Sequence, residues 1–131
     1  MKAILVVDDD EVLRSLYAEA LSDAGYIVFK AASGEEALEK AEKIPFHLIV
    51  TDLNMPGLSG IELLEVVDAL KGLRQRPAFL LMTAMRPGEM TDAQSAEVAK
   101  AIETGFDAVI PKSIDRAGLV KAVNSLKTRS R

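Results

Sequence analysis

Five times along this chain a short apolar run is followed by a stretch with helical spacing. The runs are "AILVV" (3–7), "YIVFKA" (26–31), "HLIVT" (47–51), "AFLLM" (78–82) and "DAVI" (107–110). All are short, and the first, Ala3 to Val7, is β-branched and uninterrupted, as in a strand buried on both faces. Between them, Val12, Leu13, Leu16, Tyr17, Ala20 and Leu21 form one apolar helical face that ends at Gly25. Ser33 with Glu36, Ser59 with Glu62 and Thr91 with Gln94 have the spacing of helix capping pairs. Leu63, Leu64, Val66, Val67 and Leu70 continue a third helix, the fourth reaches Gly105, and Leu119, Val120, Val123 and Leu126 mark a fifth. Five strand–helix units predict an α/β fold, with a parallel sheet, right-handed crossovers and helices on both faces.

Such a sheet collects ligands at the carboxyl ends of its strands. Asp8 and Asp9 end the first strand, Asp52 the third and Thr83 the fourth, while Lys112 follows the fifth. These residues span more than 100 positions, yet the topology sends all of them to one edge. The run Asp8, Asp9, Asp10 is itself unusual, because two like charges about 4 Å apart repel by roughly 4 kcal/mol at an effective dielectric of 20. One reading is a solvated acidic loop that caps the helix beginning near Glu11. The other is a divalent-cation site, where the repulsion becomes attraction.

Composition narrows the class. With 131 residues, 49% hydrophobic and 27% charged, the chain suits one globular domain. A net charge of −4 argues against broad nucleic-acid or membrane-surface binding. There is no Cys, hence no disulfide and no thiolate ligand or nucleophile, which fits a cytoplasmic setting. No apolar run reaches membrane-spanning length, and the N-terminal one stops at Asp8, too early for a signal peptide. Neither G-x-x-x-x-G-K-[ST] nor G-x-G-x-x-G occurs, so a nucleotide fold of those types is not expected. The five Met residues read as core filler and the lone His47 as a surface or strand-edge residue without a role.

The stretches "ILVVDDDEVLR", "LIVTDLNMPGLSGIELL", "LLMTA" and "GFDAVIPKSID" together resemble the response-regulator receiver domain, the phosphoacceptor module of two-component signalling. The resemblance covers essentially the whole chain, as a receiver over 1–127 and a basic, frayed tail over 128–131. It implies a flavodoxin-like five-stranded sheet of order 2-1-3-4-5, a topology for which a chemotaxis receiver is a standard illustration. It makes Asp52 the acceptor of a phosphoryl group from a histidine kinase or phosphotransfer protein. Mg²⁺ would be held by Asp9 directly, by Asp8 mainly through water, by Asp52 and by the carbonyl of Asn54. Thr83 would hydrogen-bond the phosphoryl group and Lys112 would pair with it. A carboxylate attacking an anionic phosphoryl group needs such a set of positive charge and donors. The protein would then be a signalling switch rather than an enzyme, with at most slow self-dephosphorylation. With too few residues after Leu126 for a DNA-binding domain, its expected output is to another protein, without nucleic acid or membrane.

Two other readings compete. A pseudo-receiver would be an interaction module indifferent to phosphate. An aspartyl-phosphate hydrolase would need a second Asp two residues after the nucleophile, where Asn54 stands, and a cap domain. The chain also departs from the receiver pattern. Ser113 follows Lys112 where the family usually has a Pro joined by a cis peptide; a cis bond to a non-proline residue costs about 2.5–4 kcal/mol, so either that strain or a rearranged loop is expected. Val109 replaces a common Tyr or Phe switch. The segment between Thr83 and Gly105 is several residues longer than usual, which makes Met85–Thr91 an alternative switch loop.

Overall fold

In a computed structural model that describes residues 2–70, 75–84, 90–126 and 129–130, the strand–helix alternation is realised unit by unit. The elements are β1 (Ala3–Val7), α1 (Glu11–Asp23), β2 (Ile27–Ala31), α2 (Gly34–Lys43), β3 (Leu48–Asp52), α3 (Gly60–Asp68), β4 (Gln75–Arg76), β5 (Ala78–Thr83), α4 (Asp92–Thr104), β6 (Ala108–Pro111), α5 (Arg116–Asn124) and β7 (Arg129–Ser130). The main sheet is parallel throughout, in the order β2-β1-β3-β5-β6. Leaving out the two-residue β4, this is the 2-1-3-4-5 order of a flavodoxin-like fold.

Side chains that alternate along each strand divide the core into two layers. Leu5, Val7, Ile49, Phe79 and Leu81 pack with Ala37, Ala41, Leu63, Leu64, Val67 and Ala101, under α2, α3 and α4. Ile4, Val6, Leu48, Val50, Leu80 and Met82 pack with Tyr17, Leu21, Leu119 and Val123, under α1 and α5. Ile4–Val7 are buried because β1 has a strand on each side and helices on both faces. β6 is an edge strand, which lets Pro111 end it without breaking an inner ladder.

The helix starts follow the capping signals, with one variation. Ser59–Glu62 and Thr91–Gln94 form reciprocal capping boxes. Ser33 accepts the Glu36 N–H, but the Glu36 carboxylate accepts from Ala32 N–H at 2.9 Å rather than from Ser33. Lys40, four residues on, holds that carboxylate at 3.2 Å.

Two expectations change, and the alternative left open after Lys112 is decided. His47 is buried, not on the surface: β1 and β5 take its backbone N–H and C=O, and its ring hydrogen-bonds the carbonyl of Leu126. Two residues of the tail read as frayed, Arg129 and Ser130, pair antiparallel with Arg76 and Gln75. No cis peptide occurs among the described residues, so Lys112–Ser113 is trans. Instead of a cis bond, a turn closed by Ile114 N–H on Pro111 C=O, at 3.1 Å, leads into α5.

Candidate functional site

The three adjacent aspartates separate by role: one caps the helix, as the first reading has it, and two join a carboxylate cluster that could hold a cation. Asp10 is the N-cap of α1, its side chain accepting from Val12 and Leu13 N–H. Asp8 and Asp9 turn instead towards Asp52. One carboxylate oxygen from each of Asp8, Asp9 and Asp52 lies within 4.8 Å of the others. Asp8 is buried, Asp52 partly buried and Asp9 exposed, so the cluster opens to solvent on one side.

β6 delivers the counter-charge. Lys112 Nζ stands 3.0 Å from Asp52 Oδ2 and 3.2 Å from Asp8 Oδ2. The remaining oxygens of these two carboxylates are held by the backbone: Asp52 Oδ1 accepts from Leu53 N–H at 2.8 Å, and Asp8 Oδ1 from Asp10 N–H at 2.9 Å. Burial pushes the Asp52 carboxyl above its ordinary pKa; Lys112 pulls it down, Asp8 lifts it further, and the net direction is up. For Lys112 burial acts downward but is outweighed by Asp52 and Asp8, so the ammonium is held above its ordinary range. Burial therefore decides the direction for Asp52, and the two carboxylates decide it for Lys112.

Asp52, Asn54, Thr83 and Lys112 line one cleft of about 190 Å³, together with Met90, Gln94, Glu97 and Val98 from α4 and its approach. All six residues singled out from the sequence for chemistry therefore converge: Asp8 and Asp9 in the carboxylate cluster, Asp52 in both cluster and cleft, and Asn54, Thr83 and Lys112 around the cleft. Of the alternative switch stretch Met85–Thr91, residues 85–89 lie outside the described residues; Met90 lines the cleft and Thr91 caps α4.

Two residues at the site were not found from the sequence. The Arg14 guanidinium donates to the carbonyl of Asp8 at 2.8 Å, and the Tyr17 hydroxyl donates to the carbonyl of Lys112 at 3.3 Å. Arg14 is close enough in sequence to have been suspected; Tyr17 reads as one more apolar position on α1.

The donor set can be tested against a cation. It contains only oxygen ligands, which suit a hard divalent ion. Oxygens on one octahedral Mg²⁺ lie at most about 4.2 Å apart, given bonds of roughly 2.1 Å. The observed 4.8 Å spread is within a small side-chain adjustment of that. The residues fit Mg²⁺.

A family model described as the response regulator receiver domain matches residues 4–124. The chain belongs to the receiver-domain family. It is 32% identical over 127 residues to the chemotaxis protein CheY-3 of Vibrio cholerae, covering 96% of this chain and 92% of that one. The solved structure of the chemotaxis response regulator CheY4 of Vibrio cholerae superposes with a TM-score of 0.77 at 31% identity, covering 95% of this chain and 97% of that one. A response regulator from Burkholderia pseudomallei, solved with a phosphorylated aspartic acid, calcium ion and citrate, gives a TM-score of 0.72 at 27% identity, covering 95% of this chain and 65% of that one. Against two further curated relatives the chain spans only 30% and 31% of their length. Receiver domains are signalling domains of two-component systems, generally non-enzymatic, with an acidic pocket that binds Mg²⁺. No described helix is long and apolar enough to cross a membrane.

Proposed function

We propose that this receiver is a Mg²⁺-dependent phosphoacceptor, modified on Asp52 by a histidine kinase or phosphotransfer protein, and that modification switches its binding to another protein. The observation that carries this reading is the position of Asp52: one oxygen 3.0 Å from the Lys112 ammonium, in a carboxylate cluster of cation-site dimensions, lining a cleft together with Thr83.

In this reading an Asp52 carboxylate oxygen attacks phosphorus on the donor's phosphohistidine. The P–N bond breaks, and its electron pair stays on the imidazole nitrogen, which then takes up a proton. Asp8, Asp9, Asp52 and the carbonyl of Asn54 would hold Mg²⁺, which when bound neutralises charge on the phosphoryl oxygens. Lys112 shifts its ammonium from carboxylate to phosphoryl oxygen, and the Thr83 hydroxyl donates to the same group. Catalysis is positioning plus electrostatics, so no separate general base is needed. The aspartyl phosphate seen in the Burkholderia pseudomallei relative supports the same chemistry here. Such a partner puts the protein in the cytoplasm.

Acetyl phosphate with Mg²⁺ tests the acceptor. Intact mass should rise by one phosphoryl group in the wild type and not in Asp52→Asn. Equal labelling of the two would end the assignment.

A further inference from the structure

Lys112 reaches Asp52 and Asp8 through a long, flexible side chain, so its ammonium is only as well placed as its backbone. Two hydrogen bonds hold that backbone. Its N–H donates to the Thr83 carbonyl at 2.6 Å, which ties it to β5. Its C=O accepts from the Tyr17 hydroxyl at 3.3 Å, which ties it to α1 across 95 residues of sequence.

Tyr17 suits that task. Its side chain is buried in the core layer beneath α1 and α5, so ring packing fixes where the hydroxyl points. A buried Tyr hydroxyl needs a partner, and here the partner is the turn that carries Lys112. Arg14, three residues earlier on α1 and therefore on the same face, holds the carbonyl of Asp8. One helix face thus grips the backbone of the acidic loop with Arg14 and that of the lysine turn with Tyr17.

We propose that Tyr17 is a positioning residue for phosphoryl recognition, its hydroxyl setting where the Lys112 ammonium stands over the acceptor. The inference rests on the phosphoacceptor reading, in which Lys112 contacts the phosphoryl group and the aspartates contact the metal. It separates two affinities that a mere packing role would move together.

Tyr17→Phe removes the hydroxyl and keeps the ring. Isothermal titration should show beryllofluoride, added with saturating Mg²⁺, binding about fivefold more weakly, the scale of one neutral hydrogen bond. Affinity for Mg²⁺ alone should stay within about twofold, and the melting temperature should fall by no more than about 4 °C, the scale of that one bond. In a Lys112→Met background, removing the hydroxyl should cause no further loss in the rate of acetyl-phosphate labelling, because the residue through which Tyr17 acts is gone. Unchanged beryllofluoride affinity in Tyr17→Phe would overturn the proposal. So would parallel losses of both affinities and of melting temperature, or a rate loss that persists without Lys112. A wild type that binds no beryllofluoride would remove the phosphoacceptor reading itself, and this inference with it.

Discussion

The Lys112 ammonium lies 3.0 Å from Asp52 Oδ2 and is the shared counter-charge of Asp52 and Asp8, whose Oδ2 is 3.2 Å away. Its removal is therefore expected to be more damaging than loss of a surface ion pair. Breaking a buried pair costs about 3–5 kcal/mol; Asp52 retains 15% exposure and Asp9 faces solvent, so about 1–3 kcal/mol is expected for Lys112→Met without metal. Mg²⁺ should then restore more stability in the variant than it adds to the wild type, because it replaces the missing positive charge. Urea denaturation with and without Mg²⁺ measures both effects. A variant as stable as the wild type would mean that Lys112 is not compensating the two carboxylates.

Metal binding should be visible as stability in the wild type as well. A ligand that binds only the folded state stabilises it by about 2.7 kcal/mol at 100 times its dissociation constant, so the melting temperature should climb with millimolar Mg²⁺. Asp9→Asn is the cleaner variant for removing that response. Asp8 also holds Asp10 N–H and Lys112, so Asp8→Asn would disturb the loop as well as the ligand. Asp9→Asn should melt at or above the wild-type temperature without metal, since one repelling charge is gone. A wild-type curve indifferent to Mg²⁺ would favour a phosphate-independent interaction module.

His47 gives the fold an acid limit away from the site. Burial, and then the charge of Lys2, push its pKa below 6.5, although its bond to the Leu126 carbonyl acts the other way. The folded state therefore binds this proton less readily than the unfolded chain does. Stability from neutral His47 is fully present above pH 6.5 and falls as the pH drops from there through the folded-state value. His47→Gln cannot titrate and should flatten the slope of urea midpoint against pH just below 6.5. An unchanged slope would place the acid sensitivity elsewhere.

The strands and the site edge were legible in the sequence because both depend on local pattern. Short apolar runs specified β1, β3 and β5, β-branched in the first two and Leu-rich in the third, and any parallel sheet carries residues at its strand ends to one edge, so Asp8, Asp52 and Thr83 could be brought together from the sequence. Two of the three capping pairs formed as the spacing predicts. His47 was misread because a lone polar residue beside a strand gives no sign of which loop will cover it; here the end of α5 does. Tyr17 and Arg14 act through backbone carbonyls, and a carbonyl has the same sequence signature at every position. After Lys112, Ser113 in place of the family's Pro left a strained cis bond or a rearranged loop open; the chain keeps the bond trans and ties the turn to α1.

The start of α3 packs against the acceptor's own backbone. Gly60 opens α3 after its Ser59 cap, and its N–H donates to the Leu53 carbonyl at 2.9 Å. A Cβ at Gly60 would stand 2.4 Å from the backbone oxygen of Asp52 and 3.2 Å from Leu53 Cα. Two effects compete in Gly60→Ala. Alanine gains about 0.5–1 kcal/mol as a helix former and through a less flexible unfolded chain. Against that, the obstructing atom is backbone, which cannot swing aside, and overpacking of this kind typically costs about 1–3 kcal/mol. The clash should win, leaving the variant less stable and Asp52 displaced, so acetyl-phosphate labelling should slow at saturating Mg²⁺. Gly118→Ala is the control: the atoms nearest its Cβ belong to the side chains of Asp115 and Ile114, not to the backbone of the acceptor, and its labelling rate should not change. If Gly60→Ala labels at the wild-type rate, then α3 does not set the position of the acceptor.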